Sequence, residues 1–375
     1  MKSEIKTPLI LGIAILAAVI VLSLSLSTLD SQPQQTLGNT LDESKTSSNS
    51  EQKTSILRYK KAPELVGISG YINTLPDELQ KKIHDQVVLY DIWTYSCINC
   101  VRTLPFITAW DEKYSDQGLL IIGIHTPEFE FEKDIENVKL AVTKHGINYP
   151  VVLDNDRKTW HAFENNYWPR KYIADHEGYI RYDHIGEGDY QETEKVIQDL
   201  LRERNKSLGL NISSVKELVK IDEFESSWLR TPELYFGYDF VSGRNQLGSP
   251  EGFKPNQDVN YSIPESKQPH NFYLDGTWKN LKGSMMLISS SGSIVVPYSG
   301  QEVNIVTAGD ANLSISIDGK TIDSSMYGKD VGNKGQIHVH DPGLYNIVKT
   351  NSSENHTLEI FVETPGFEIF TFTFG

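Results

Sequence analysis

Two cysteines, Cys97 and Cys100, are the only ones in 375 residues, and they stand at Cys-x-x-Cys spacing. The segment Val87-Val-Leu-Tyr-Asp-Ile-Trp-Thr-Tyr-Ser-Cys-Ile-Asn-Cys100 sets them after an apolar run of strand length and before a helical pattern. At a strand-to-helix junction the first sulfur stands at a helix amino terminus, where unpaired backbone N–H groups and the helix dipole favour a thiolate. The thiolate is the attacking species in disulfide exchange, and a second sulfur one turn inward can break the mixed disulfide from behind. Cys97 is therefore the expected nucleophile and Cys100 the expected resolving residue. Ile98 and Asn99 between them carry no charge that would bias the direction of exchange, and both are expected at the substrate-facing surface.

Half a zinc site has the same spacing. No second cysteine pair exists to complete one, and His125 and His145 are not at finger spacing, so neither a metal nor a cofactor is expected. One cysteine pair also excludes a disulfide-stapled scaffold. Lys plus Arg number 35 against 50 for Asp plus Glu, a formal charge of −15 that argues against a nucleic-acid partner. Apolar residues at 38 % suit a globular chain with a substantial core, and the length allows two or three domains.

Residues 7–29 hold no charge, and 9–22 are almost wholly apolar. About 20 such residues at ~1.5 Å rise cross a ~30 Å hydrocarbon layer. Lys2 and Lys6 precede the stretch and Asp30, Asp42 and Glu43 follow it, so the positive-inside rule predicts a single-pass cell-membrane anchor with the remainder extracytoplasmic. The competing reading is a signal peptide cleaved near Ser23 or Ser25, although the apolar stretch exceeds the usual signal core. The expected organisation is a stub and anchor over 1–29, a Ser/Thr/Gln/Asn-rich tether over 30–55, an α/β domain over 56–204, a linker over 205–230 and a β domain over 231–375.

The elements that position the cysteines follow from periodicity. Val87–Trp93, residues 119–124, Val151–Leu153 and residues 171–174 read as strands. Residues 132–145 read as a helix capped by Gly146, and Val196, Ile197, Leu200 and Leu201 as a terminal amphipathic helix. That alternation predicts an α/β layer fold. Beyond residue 230, Leu313-Ser-Ile-Ser-Ile317, Ile337-His-Val-His340 and Phe370-Thr-Phe-Thr-Phe374 alternate with period two and predict an antiparallel, jelly-roll-like β-sandwich. Asn-x-Ser/Thr sequons occur at Asn205, Asn211, Asn260, Asn312, Asn351 and Asn355.

Trp93-Thr-Tyr-Ser-Cys-Ile-Asn-Cys100 and Gly123-Ile-His-Thr-Pro-Glu-Phe129 resemble the thioredoxin-like domains of the TlpA kind, more narrowly the exported portion of DipZ proteins. The resemblance continues through Thr231-Pro-Glu-Leu-Tyr235 to Gly375. It departs at the amino terminus, where DipZ proteins carry a multi-helix electron-transporting membrane domain. The resemblance implies that Asp91 is a buried carboxylate accepting the proton of Cys100, and that Pro105 kinks the active-site helix. It also implies that Pro169, in Asn166-Tyr-Trp-Pro-Arg170, is the cis-proline facing the disulfide, presenting the Trp168 backbone to an extended substrate. Trp93 and Trp168 are candidates for an apolar wall around the disulfide, though core aromatics would look the same. His125 and Glu128 are candidates for tuning the site, or ordinary loop residues.

The resulting expectation is a membrane-anchored, extracytoplasmic thiol–disulfide oxidoreductase acting on protein disulfides or thiols. By family resemblance it is a reductant, in cytochrome c maturation or oxidative-stress repair, fed by a separate membrane electron donor. A peroxiredoxin-like peroxidase is the alternative that Thr94-Tyr-Ser-Cys97 allows, with Tyr90 standing where that family has proline. A third reading makes the β domain a glycan- or partner-binding module, with Trp278 or Tyr298 stacking on a sugar. His338 and His340 share one strand face, outward and solvated, and two histidines alone do not complete a metal site.

Overall fold

A computed structural model describes residues 59–211, 217–224 and 230–375. The expected anchor and tether lie outside the described residues. Among the described residues no helix is long and apolar enough to cross a membrane.

The first domain runs through β1 (Gly70–Ile72), α1 (Pro76–Lys82), β2 (Val87–Trp93), α2 (Ile98–Tyr114), β3 (Leu119–His125), α3 (Ile135–Lys144), β4 (Val151–Leu153), α4 (Lys158–Ala162), β5 (Arg170–Ala174), β6 (Ile180–Ile185) and α5 (Tyr190–Ser207). The strand order is β1-β4-β3-β2-β5-β6. β2, β3 and β4 are parallel to one another, while β5, β6 and β1 join antiparallel.

Every residue of β2 is buried, so the strand reads as a continuous apolar run rather than an alternating one. Side-chain parity still sorts it. Val87, Leu89 and Trp93 enter the core beneath α2, α3 and α5, whereas Val88, Tyr90 and Ile92 enter the opposite core with Leu79 and Trp160. Asp91 shares parity with Leu89 and Trp93, which puts its carboxyl on the face that α2 covers. His125 and Lys171 share that face by the same rule, with Leu119 and Ile121 on β3 and Ile173 on β5. Gly123 pairs with Asp91 on β2, and the Trp93 indole lies over it: a Cβ at Gly123 would stand 3.0 Å from the indole nitrogen.

The second domain comprises β7 (Leu234–Tyr235), β8 (Asp258–Tyr261), β9 (Tyr273–Asn280), β10 (Met285–Leu287), β11 (Gly292–Ala308), β12 (Ala311–Ile317), β13 (Lys320–Thr321), β14 (Gln336–Val339), β15 (Gly343–Val362) and β16 (Glu368–Phe374). All pairings within the sheet are antiparallel, along β13-β12-β15-β11-β16-β10-β9-β8, with β14 on β12 and β7 on β16. Trp278 and Tyr298 belong to its core, at 0 % and 3 % exposure, which corrects the expectation that either stacks on a sugar. Asn205 is likewise buried, with its side-chain oxygen accepting from Arg204, so this sequon is not an open glycan acceptor.

One strand departs from its sequence pattern. Alternation predicts Phe370, Phe372 and Phe374 on a common face, but β16 pairs Thr371 with Val306 and Ile369 with Thr307, leaving Phe370 as the extra residue of a β-bulge. Ile369, Phe372 and Phe374 enter the β-domain core. Phe370 turns the other way and packs on Phe129 and Phe131 of the first domain, with ring centroids 5.0 and 4.8 Å away. The two domains thus share an aromatic cluster with Tyr235 and Val306.

Candidate active site

β2 ends at Trp93, and the chain turns through Thr94, Tyr95 and Ser96 into α2. Cys97 is the N-cap of α2: its backbone is extended (φ −79°, ψ 115°), and its sulfur accepts the Cys100 backbone N–H at 3.3 Å. This satisfies one of the helix's unpaired donors with sulfur, an arrangement that suits a thiolate. Cys97 is half-buried, whereas Cys100 is wholly buried, and both are free thiols. Burial pushes the Cys100 thiol well above its ordinary range, and its neighbour Cys97 pushes it the same way. Pro105 sits inside α2, as expected, and removes one internal hydrogen bond.

Asp91 is wholly buried, and neither of its oxygens has a hydrogen-bond partner within the protein. Burial pushes its carboxyl up to about 6, against the pull of Lys171. Lys171 is its direct cross-strand neighbour on β5, wholly buried too, with Nζ donating to the Gly186 carbonyl at 3.1 Å. Burial lowers the Lys171 ammonium, while Asp91, Cys100 and Glu187 act to raise it. The expectation singled out Asp91 alone; Lys171 adds a second buried titratable group on the same face, close enough for its charge to act on Asp91 and Cys100.

The Trp168–Pro169 peptide is cis. Ile92 pairs with Arg170, so the Trp168–Pro169 loop and the Thr94–Cys97 turn leave neighbouring ends of adjacent strands. Trp168 is half-buried, its ring centroid 4.2 Å from that of Trp160, and its indole N–H donates to the Thr126 carbonyl. Trp93 is different. It is wholly buried under α2 and meets the edge of His125, so it is a core ring that cannot touch a substrate, which corrects its candidacy for a substrate-facing wall around the disulfide. Ile98 is buried as well, which corrects its placement there, and of the intervening pair only Asn99 is partly exposed.

His125 lies behind the turn, stacked on Tyr95 with Nε2 3.3 Å from the Thr94 hydroxyl. Burial pushes it down to about 3, so it is neutral and acts as a wall. Glu128 faces the second domain, where its carboxylate accepts from the Tyr235 hydroxyl at 2.9 Å. Burial, Glu132 and Glu233 push Glu128 up to about 8.

Glu132, like Lys171, was missed from sequence. Its buried carboxylate accepts from the hydroxyls of Thr94 and Ser96, each at 2.5 Å, and from the backbone N–H of Glu128 and Phe129 at 2.6 and 2.8 Å. It therefore clamps the turn that presents Cys97, and the Thr94 hydroxyl invoked for a peroxidase is engaged by it. A short helical turn just before α3 supplies this group. No sequence signal joined it to the cysteines.

The second domain reaches the same helix. Arg102, on α2, pairs with Glu302 at 2.9 Å and Glu187 at 3.5 Å, and its guanidinium lies over the Phe224 ring. Tyr95 donates to the Pro342 carbonyl at 3.4 Å.

An α/β layer with a helix-capping sulfur above a buried thiol and carboxylate defines a thiol–disulfide exchange site. Residues 73–201 match the family model described as Redoxin, and residues 231–375 match the Thioredoxin like C-terminal domain. Thiol-disulfide oxidoreductase YkuV of Bacillus subtilis (strain 168) is 30 % identical over 141 residues, covering 38 % of this chain and 94 % of YkuV. Protein DipZ of Mycobacterium tuberculosis (strain CDC 1551 / Oshkosh) is 33 % identical over 317 residues, covering 84 % of this chain. The chain spans 43 % of the length of DipZ. A solution structure of a thioredoxin-like protein in the oxidized form is 28 % identical and covers 39 % of this chain and 97 % of its own, at a TM-score of 0.35. The chain belongs to the DipZ/TlpA-type thiol–disulfide oxidoreductases.

Proposed function

We propose that the chain is a membrane-anchored, extracytoplasmic reductant of protein disulfides, with its redox domain at 56–204 and a jelly-roll-like second domain at 231–375. The observation that carries the chemistry is the half-exposed Cys97 sulfur at the start of α2, backed by buried Cys100 and Asp91. The Cys97 thiolate attacks a client disulfide; a bond forms between Cys97 Sγ and one client sulfur, and the other client sulfur leaves as a thiolate. Cys100 then gives its proton to Asp91 and attacks Cys97 Sγ, releasing the second client thiolate. The client gains two electrons and the protein is left with a Cys97–Cys100 disulfide, which a separate membrane donor must reduce. The uncharged apolar run over 9–22, flanked by Lys2 and Lys6 before and acids after, supports the anchor and its orientation. The long bulged strands β11 and β15 support the jelly-roll reading. No exposed aromatic at Trp278 or Tyr298 supports a glycan ligand, so none is proposed.

Insulin reduction tests the chemistry. Cys97→Ser is expected to abolish turnover, and Cys100→Ser to accumulate a mixed disulfide with the client. Wild-type turnover by Cys97→Ser would overturn the mechanism. A reduction potential near about −270 mV supports a reductant, and one near about −120 mV would reverse the direction. Release of the chain into the medium without detergent would remove the anchor.

A further inference from the structure

His338 lies on β14 and His340 directly follows its last residue, the buried Val339; both histidines are exposed, on the side away from Ile337 and Val339. Their sequence spacing supplies two ligands and no third. The fold supplies the third. β14 pairs antiparallel with β12, setting Asn312 opposite His338 and Ala311 opposite Val339, and the turn before β12 brings Asp310 to the histidines. Asp310 Oδ1 stands 3.9 Å from His338 Nε2, and Asp310 Oδ2 stands 3.9 Å from His340 Nδ1. The two rings are nearly parallel, 15° apart with centroids 6.0 Å from each other. One ligand atom from each of the three residues falls within 4.8 Å of the others.

The surroundings set the tautomer. His338 Nδ1 lies 3.1 Å from Asn312 Oδ1, and an amide oxygen only accepts, so Nδ1 carries the proton and Nε2 offers its lone pair toward Asp310. The backbone N–H of His340 donates to the Tyr345 hydroxyl at 3.2 Å, which in turn donates to the Asp341 carbonyl at 2.7 Å, holding this end of β14.

We propose that Asp310, His338 and His340 form a zinc site. Two neutral imidazoles and one carboxylate are a donor set that suits zinc rather than magnesium or calcium, which take oxygen ligands. Zinc ligands at ~2.0–2.2 Å in a tetrahedron lie roughly 3.3–3.5 Å apart, so side-chain rotations that bring the ligand atoms closer by up to roughly 1.5 Å close the site. Three protein ligands leave a fourth position open. His338 and His340 also line a cavity of about 310 Å³ whose facing wall includes Tyr95 and Val101, the near neighbours of the cysteine pair. The two histidines thus share a cavity with residues on either side of the cysteine pair in sequence.

The test is a calorimetric titration of zinc chloride into the full chain, in mild detergent and in its disulfide form so that the thiols do not bind metal. One zinc per chain is expected. His338→Ala and Asp310→Asn should each weaken binding at least about tenfold, and Asn312→Ala, which frees the tautomer, should weaken it less. His84→Ala, at an exposed histidine of the first domain, should bind as the wild type does. Zinc should raise the unfolding temperature of the wild type and leave that of His338→Ala unmoved, a readout independent of redox activity. Absence of stoichiometric binding, or equal affinity in His338→Ala, would overturn the proposal.

Discussion

Arg102, which lies on the helix begun by the cysteine pair, forms an ion pair with Glu302 of the second domain at 2.9 Å, both side chains being about one-tenth exposed. Helix α2 is thereby held from both sides, by the sheet beneath it and by the β domain against it. Removing one partner of a buried pair costs about 3–5 kcal/mol, but in the absence of Arg102 the Glu302 carboxylate still has Lys349 at 3.1 Å. Arg102→Met should therefore cost about 2–3 kcal/mol, read as a lower urea midpoint. An unchanged midpoint would show that the pair contributes nothing to holding α2.

Asp91 couples folding to catalysis through pH. Its folded value is raised from 3.8 to about 6, so the contribution of this group is fully favourable below pH 4 and is lost as pH rises through 6. The rise from 3.8 to about 6 corresponds to roughly 3 kcal/mol. The Asp91→Asn variant lacks this titration. Its unfolding free energy relative to the wild type should rise by about that much between pH 4 and pH 7.5. Reduction of insulin by the wild type should increase as pH passes 6, because the carboxylate form accepts the Cys100 proton. The variant should be slower by about 10²-fold or more at pH 7 and should lose that inflection. Retention of the inflection in Asp91→Asn would assign it to another group.

What sequence revealed was what is local. The cysteine pair, its strand and its helix are contiguous, and Asp91, six residues before Cys97, was reached through the resemblance of that same stretch. Trp93 stayed open between a wall beside the disulfide and a core ring because β2 is buried on both faces, leaving no polar alternation to tell the two apart. Lys171, Glu132, Glu302 and Asp310 act through partners far away in the chain, and their residue types are common on any surface. The bulge at Phe370 leaves the Phe-Thr-Phe-Thr-Phe pattern intact while changing which face its first ring takes.

Glu132 binds four donors with its two oxygens, and a neutral amide cannot reproduce this. In Glu132→Gln the NH₂ group either meets the two backbone N–H donors or, turned to the other side, forces the Thr94 and Ser96 hydroxyls to accept, and the charge is lost in both cases. Loss of these charge-assisted bonds should cost about 2–4 kcal/mol. The turn that presents Cys97 would loosen with it, so alkylation of Cys97 by iodoacetamide should change rate at a pH where the fold is intact. Equal stability and equal alkylation in the variant would show that the turn holds itself.

Phe370 tests whether docking of the two domains is built into the β16 bulge. It is 6 % exposed and lies among Phe129, Phe131 and Tyr235 rather than in its own domain's core. Truncating a buried phenylalanine costs about 3–5 kcal/mol. Because the lost contacts join two domains, the cost in Phe370→Ala should be paid mainly in docking. Hydrogen exchange should quicken at residues 128–132 and in β7 before it quickens in the central strands β2 and β11. Phe372→Ala, one register position beyond the bulge and on the opposite face, should instead destabilise the β domain itself. If the two variants gave the same exchange pattern, the bulge would not separate an interface residue from a core residue.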